Sequence, residues 1–231
     1  MIIETHSHVN CDIPGLDPAL SSLYGKPVEG VSQYLQTYET CGIDKCWVFG
    51  SHGWRDSELI KAENTCLGNL RHKHADRLLP WGTVNPFWDE KTLREEITRI
   101  DEELNLYGIK LVPVVKGCSL ASRNMDSVAE IAAERHLPLF FHDGSAEYCS
   151  AVQVKYFALT HPAVRVVSGH SGLRELWADY MDAGDIENLL FCLSGPTAWG
   201  LRQMIEHLNP YRLMFGSDGG LGTAAIVKAY L

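Results

Sequence analysis

The stretch MIIETHSHVN sets His6 and His8 on either side of one serine, just after the apolar pair Ile2 and Ile3. In an extended strand, residues two apart share a face. The two imidazoles are therefore expected to project side by side from the end of a first strand. Imidazole is the commonest metal ligand among side chains, so the pair reads as half of a metal site. Three later stretches finish on further donors: LPLFFHDG (137–144) on His142 and Asp143, VRVVSGH (164–170) on His170, and RLMFGSDGG (212–220) on Ser217 and Asp218. A divalent transition ion accepts imidazole nitrogen and carboxylate oxygen, and a catalytic site leaves one position for water. Water held by such a cation reaches a pKa near about 7 in favourable sites, where a carboxylate can take its proton. Asp218 is the candidate for ligand, base or both. Singly, each residue also fits an ordinary structural role; Asp218 in SDGG suits a turn and a helix N-terminus. Their joint placement at the ends of separate apolar runs is what points to a metal.

Such an arrangement needs elements that bring distant strand ends together. Eight apolar runs recur: MIIETH, KCWVFG (45–50), RLLPWGTV (77–84), GIKLVP (108–113), LPLFFHDG, VRVVSGH, NLLFCLSG (188–195) and RLMFGSDGG. Between them lie helical patterns. VSQYLQTYETCG ends on a Gly stop. DSELIKAENTCLGNLRHKH offers Asp56 or Ser57 as N-cap. DEKTLREEITRIDEELNLYG stacks Leu93, Ile97, Ile100 and Leu104 on one stripe. NMDSVAEIAAERH, SAVQVKYFALTHP, GLRELWADYMDAG, AWGLRQMIEHLNP and the short TAAIVKAYL follow the same logic.

Strands alternating with helices predict parallel pairing, and near-continuously apolar strands suit a sheet buried on both faces. The expected fold is α/β: a (β/α)8 TIM barrel, compact and with short loops. An open doubly wound sheet would carry a Gly-rich turn after its first strand, where this chain has THSHVN. In a barrel, the active rim lies at the C-terminal strand ends. Runs one, five, six and eight thus deliver His6 and His8, His142, His170 and Asp218 to one mouth, and run four carries Lys110.

The chain of 231 residues, 45% hydrophobic and 21% charged, has the composition and length of one barrel domain, 1–231. A formal net charge of -9 without a basic block argues against nucleic acid as a partner. No apolar run approaches the roughly 18 residues of a membrane span, and no secretory signal is expected from the opening residues. The seven cysteines are scattered and form no CxxC, which favours reduced thiols and a cytoplasmic setting over a disulfide framework or a zinc knuckle.

Taken in order, ETHSHVN, GIKLVP, LPLFFHDG, VRVVSGHSG and RLMFGSDGG resemble segments of the amidohydrolase superfamily. These are its D-x-H-x-H opening, fourth-strand segment, fifth-strand P-hydrophobic-H-x-G segment, sixth-strand G-H segment and closing FGSD motif. The resemblance is nearest to the amidohydrolase-related (amidohydrolase 2) branch, which includes aminocarboxymuconate-semialdehyde decarboxylase, resorcylate-type decarboxylases and dicarboxylate lactonases. It implies one divalent ion, zinc first and manganese or another divalent ion next, bound by His6, His8, His142 and Asp218. It implies Asp218 as base as well as ligand. It also implies that His170 polarises the substrate or joins proton transfer. The opening acid is Glu4 where the family usually has Asp.

Lys110 has three readings: a substrate contact, a carbamylated lysine bridging two metals, or a lysine whose tip reaches out of the barrel mouth. Other rim candidates for substrate are Trp54, Arg55, Trp88, Lys116 and Arg123. Arg55 and Arg123 could clamp a carboxylate, and Trp54 and Trp88 could wall an apolar pocket. His52 also falls on the rim; the remaining histidines read as structural. The expected activity is metal-dependent hydrolysis of an amide, lactone or similar bond in a small, carboxylated substrate. The alternative on the same scaffold is non-oxidative decarboxylation. A phosphoesterase of the TatD or PHP type also begins H-x-H, but would need acidic ligands where the fourth strand offers Lys110. An alternative of another class is a metal-holding barrel that binds without catalysis. The expected partner is a small molecule, with neither nucleic acid nor membrane, and a homodimer is compatible with this reading.

Overall fold

The computed structural model describes residues 1–11, 13, 22–23, 26–27, 30–54, 56–174 and 176–219. Eight parallel strands carry the site: β1 Ile3–His8, β2 Lys45–Phe49, β3 Leu78–Trp81, β4 Ile109–Leu111, β5 Leu139–Phe141, β6 Val166–Ser168, β7 Leu189–Cys192 and β8 Leu213–Met214. They pair in sequence order as two sheets, β1 to β3 and β4 to β8. Backbone hydrogen bonds close both gaps. Gly82 N donates to Gly108 O at 3.0 Å and Lys110 N to Gly82 O at 2.8 Å, joining β3 to β4. Thr5 N donates to Phe215 O at 2.9 Å and His8 N to Gly219 O at 2.8 Å, joining β1 to the segment after β8. The ring of eight parallel strands is that of the expected TIM barrel.

Period-two alternation sorts the strand side chains into two layers. Phe49, Trp81, Phe140, Val167 and Cys192 pack together inside the ring. Val48, Ile109, Leu111, Leu139, Phe141, Val166 and Phe191 pack outward among helix side chains. Lys110 shares the inward position between Ile109 and Leu111 and is fully buried. Its tip therefore does not reach out of the barrel mouth, which corrects that reading. In β1, the register against β2 shifts between Glu4 and Ser7, a bulge that the alternating pattern did not announce.

The helices are α1 Val31–Thr40, α2 Ile60–Lys73, α3 Glu90–Thr98, α4 Pro113–Lys116, α5 Arg123–Glu134, α6 Ala151–Thr160 and α7 Ala198–His207. Asp56 caps the 3-10 turn that opens α2, accepting from Glu58 N. Asp89 caps α3, which buries Leu93 and Ile97 and runs on as a π-helical turn through Glu103, burying Ile100. GLRELWADYMDAG is not the expected α-helix. Ser171, Gly172 and Leu173 all take positive φ, and two 3-10 turns follow at Leu176–Tyr180 and Ala183–Asp185. The physical reason lies in Asp143, which draws Gly172 N and the Tyr180 hydroxyl onto one carboxylate oxygen and folds this stretch around it. The antiparallel pair Ser22–Leu23 and Lys26–Pro27 had no counterpart in the sequence reading, and TAAIVKAYL lies outside the described residues. Among the described residues, no helix is long and apolar enough to cross a membrane.

Asn64 on α2 ties three elements together. Its amide donates to Thr83 O at 2.9 Å and to Glu96 Oε1 at 2.8 Å, and its carbonyl accepts from Thr83 N at 3.0 Å. Asn64→Leu removes the side-chain partner of the Thr83 N–H and carbonyl, while Glu96 keeps Arg99, and should lower stability by about 2–4 kcal/mol, read from the urea midpoint at unchanged slope.

Candidate metal centre and active site

The bulge and closing seam of β1 bring His6 and His8 to one spot, with ring centroids 5.6 Å apart. Each ring is held by a backbone carbonyl. His6 Nδ1 lies 2.8 Å from Gly169 O, and His8 Nδ1 lies 3.1 Å from Gly50 O. A carbonyl only accepts, so each Nδ1 carries the hydrogen and each Nε2 keeps its lone pair. Those lone pairs face a single oxygen, Asp218 Oδ1, at 3.3 Å from His6 and 3.5 Å from His8. One donor atom from each residue lies within 4.8 Å of the others. Three electron-rich atoms aimed at one point call for positive charge: the Lys110 ammonium reaches His6 Nε2, and a divalent ion would serve all three, so the set fits such an ion. Orientation of the imidazoles through Nδ1 is the arrangement metal sites favour.

Asp218 sits at positive φ, 55°, a conformation Asp tolerates better than most residues. Burial opposes its ionisation, but the imidazoles of His6, His8 and His170 around it outweigh burial and hold the carboxyl well below the usual carboxylate range. Glu4 anchors both halves of the set, its Oε1 accepting from His6 N at 2.8 Å and from Ser217 N at 2.9 Å. Burial pushes the Glu4 carboxyl up to about 7, with the Ser217 and His6 hydrogen bonds pulling the other way.

His142, the fourth ligand implied by the family resemblance, lies outside this tight group. Its Nδ1 meets His170 Nε2 at 2.8 Å. His170 in turn sits beside His6, centroids 4.6 Å apart, with its Nδ1 3.1 Å from Ser194 Oγ. Burial holds the imidazoles of His6 and His142 well below the ordinary histidine range and lowers that of His170. Asp143 is fully buried and accepts four hydrogen bonds, from His170 N, Ser168 Oγ and Gly172 N at 2.7 Å and from the Tyr180 hydroxyl at 2.9 Å.

Lys110 Nζ lies 3.2 Å from His6 Nε2 and over the Phe140 and Phe49 rings, 4.3 and 4.9 Å from their centroids. Burial lowers its ammonium to about 8, partly offset by Asp218. Trp54 is buried beside His8, centroids 6.4 Å apart, and its indole donates to Gly50 O. His52 Nε2 faces Asn10 Oδ1 at 3.2 Å. Trp88 packs against the outer core, and Arg123 is exposed in the first turn of α5; the structure gives neither a contact with the metal set. Lys116 ties α4 to the loop after β2, donating to Gly53 O and Ser57 Oγ at 3.0 Å each. Arg55 lies outside the described residues.

Sequence reasoning missed three supports. Asp143 was visible beside His142 but carried no signal of its four donors. Ser194 looked like any loop serine. Glu63, on α2, is fully buried and accepts from the backbone N–H groups of Ser51, His52 and Gly53 at 2.7–2.8 Å. A Cβ on Gly50 would fall 2.0 Å from the Glu63 carboxyl carbon. The adjacent glycines in FGSHG were the only local hint.

Residues 50–219 match the family model described as amidohydrolase. The chain belongs to the amidohydrolase family. A search of curated proteins returned no match. Among solved structures, this amidohydrolase-family chain is similar to 5-carboxyvanillate decarboxylase from Sphingomonas paucimobilis, at 17% identity and TM-score 0.74, over 98% of this chain and 91% of that one. It is similar to 5-carboxyvanillate decarboxylase from Novosphingobium aromaticivorans, in complex with manganese and 4-hydroxy-3-methoxy-5-nitrobenzoic acid, at 18% identity and TM-score 0.69, over 99% and 89% of the chains. It is also similar to 4-oxalomesaconate hydratase from Rhodopseudomonas palustris, at 15% identity and TM-score 0.70, over 97% and 83%. At these identities the likeness is one of fold.

Two measurements probe the centre. His6→Ala and Asp218→Asn should each weaken manganese or zinc binding by at least about tenfold in equilibrium dialysis. Asp143→Asn turns an amide N–H toward donors and should cost about 2–3 kcal/mol in chemical denaturation.

Proposed function

We propose that this amidohydrolase-family chain is a metal-dependent, non-oxidative decarboxylase of small hydroxylated aromatic acids. The observation that carries the reading is the charge layout of the centre. Among the described residues, Asp218 is the carboxylate that closes on the two imidazole nitrogens, and the buried Lys110 ammonium lies 3.2 Å from the His6 nitrogen that faces it. With a divalent ion in place, the mouth keeps an excess of positive charge, which suits an anionic carboxylated substrate. The two carboxyvanillate decarboxylases of like fold act on acids of this kind by their names. Hydrolysis of an amide or lactone in a carboxylated substrate would use the same donors and the same cation; the two decarboxylases of like fold favour decarboxylation.

His6, His8 and Asp218 would hold the ion, which supplies an electrophilic anchor for substrate oxygens. Asp218 rests as the carboxylate and is positioned to take the proton of the substrate hydroxyl. It then returns that proton to the ring carbon that bears the carboxylate. The bond from that carbon to the carboxylate breaks, its electron pair stays with the ring, and carbon dioxide leaves. Trp54, packed against His8, forms an aromatic wall for the ring. His170 spends both ring nitrogens on His142 and Ser194, so it acts on the substrate through His142 unless one of those bonds is exchanged.

Manganese- or zinc-loaded protein should release carbon dioxide from members of a hydroxybenzoate panel. In heavy water the product should carry one deuterium at the vacated carbon. Products of amide or lactone cleavage without carbon dioxide would replace this reading with hydrolysis. At saturating metal, Asp218→Asn should lower kcat by about 10²–10⁴-fold while circular dichroism stays unchanged.

A further inference from the structure

Ser194 lies two residues beyond β7, against the turn that carries Gly169 and His170. That close approach depends on Gly195, where a Cβ would fall 2.2 Å from His170 O. The Ser194 hydroxyl oxygen lies 2.8 Å from Gly169 O, 3.1 Å from His170 Nδ1 and 3.2 Å from His6 Nδ1, and the side chain also interacts with the Cys192 thiol. A hydroxyl has one hydrogen and two lone pairs, whereas a carbonyl oxygen has only lone pairs. The contact with Gly169 O therefore claims the Ser194 hydrogen. What Ser194 offers to the imidazoles is acceptor capacity alone.

The rest follows as a chain of proton assignments. His170 Nδ1 must carry a hydrogen to bond Ser194. In the neutral ring, His170 Nε2 is then a bare acceptor. His142 Nδ1, 2.8 Å away, must supply the hydrogen for that contact, which leaves His142 Nε2 with a lone pair. His6 Nδ1 donates to Gly169 O, with Ser194 Oγ as a second acceptor.

We infer that Ser194 is a positioning residue that selects the tautomers of His170 and His142 together, while Gly169 O sets that of His6. One hydroxyl, polarised by Gly169 O, leaves the Nε2 of His142 unprotonated and so competent to hold a metal, although Ser194 does not touch that nitrogen. The inference deepens the proposed activity, because it rests on the reading of these histidines as the working groups of the site.

The test is long-range proton–nitrogen NMR of the imidazoles in zinc-loaded, nitrogen-15-labelled protein without substrate. Wild type should show His170 and His142 as Nδ1–H tautomers. Ser194→Ala should move His170 toward the Nε2–H form and weaken zinc binding about tenfold, and Ser194→Thr should restore both. An Nε2–H form of His170 in wild type, or unchanged tautomers in Ser194→Ala, would overturn the assignment. Because no turnover is read, failure of the decarboxylase reading leaves this result standing, and the reverse also holds.

Discussion

The site depends on one seam. Eight parallel strands close only if the last meets the first, and here they meet through Thr5 N to Phe215 O and His8 N to Gly219 O. Glu4 spans the same seam, its oxygen shared between His6 N and Ser217 N. The first two donors and the last therefore face each other because of backbone register, before any ion contributes. A one-residue slip would send every side chain of the slipped strand to the opposite face and would carry Asp218 away from both imidazoles.

Around that seam, buried carboxylates act as backbone anchors. Glu4 holds the amides of His6 and Ser217; Glu63 holds those of Ser51, His52 and Gly53, just after the carbonyl that orients His8; Asp143 holds those of His170 and Gly172. A carboxylate accepts several N–H groups at once and in fixed directions. Each anchor therefore stiffens one strand end that presents a ligand or its neighbour. This is how a site assembled from loop ends keeps the tolerance that metal chemistry requires.

Much of this was legible. The eight runs, the cap at Asp56, and the pairing of His6 with His8 follow from local periodicity and capping chemistry, which neighbours in sequence settle. The turn-rich course of 172–174 and 176–184 was not legible, because its helical pattern is overridden by a carboxylate from another strand end. Nor was the burial of Lys110. Its position in GIKLVP is plain, but which alternate face turns inward is decided by the ring as a whole. His142 shows the same divide: its place at a strand end was readable, while its bond to His170 depends on how two loops meet.

By itself, the sequence determined the kind of elements, their order and the donor residues that end them, since strand alternation, helix stripes and caps act over a few residues. Tertiary structure decided which of those donors converge, which nitrogen of each ring faces the centre, and which acids became supports. Those outcomes rest on hydrogen bonds between residues as far apart as Glu4 and Ser217, and no local pattern encodes contacts across a closed barrel.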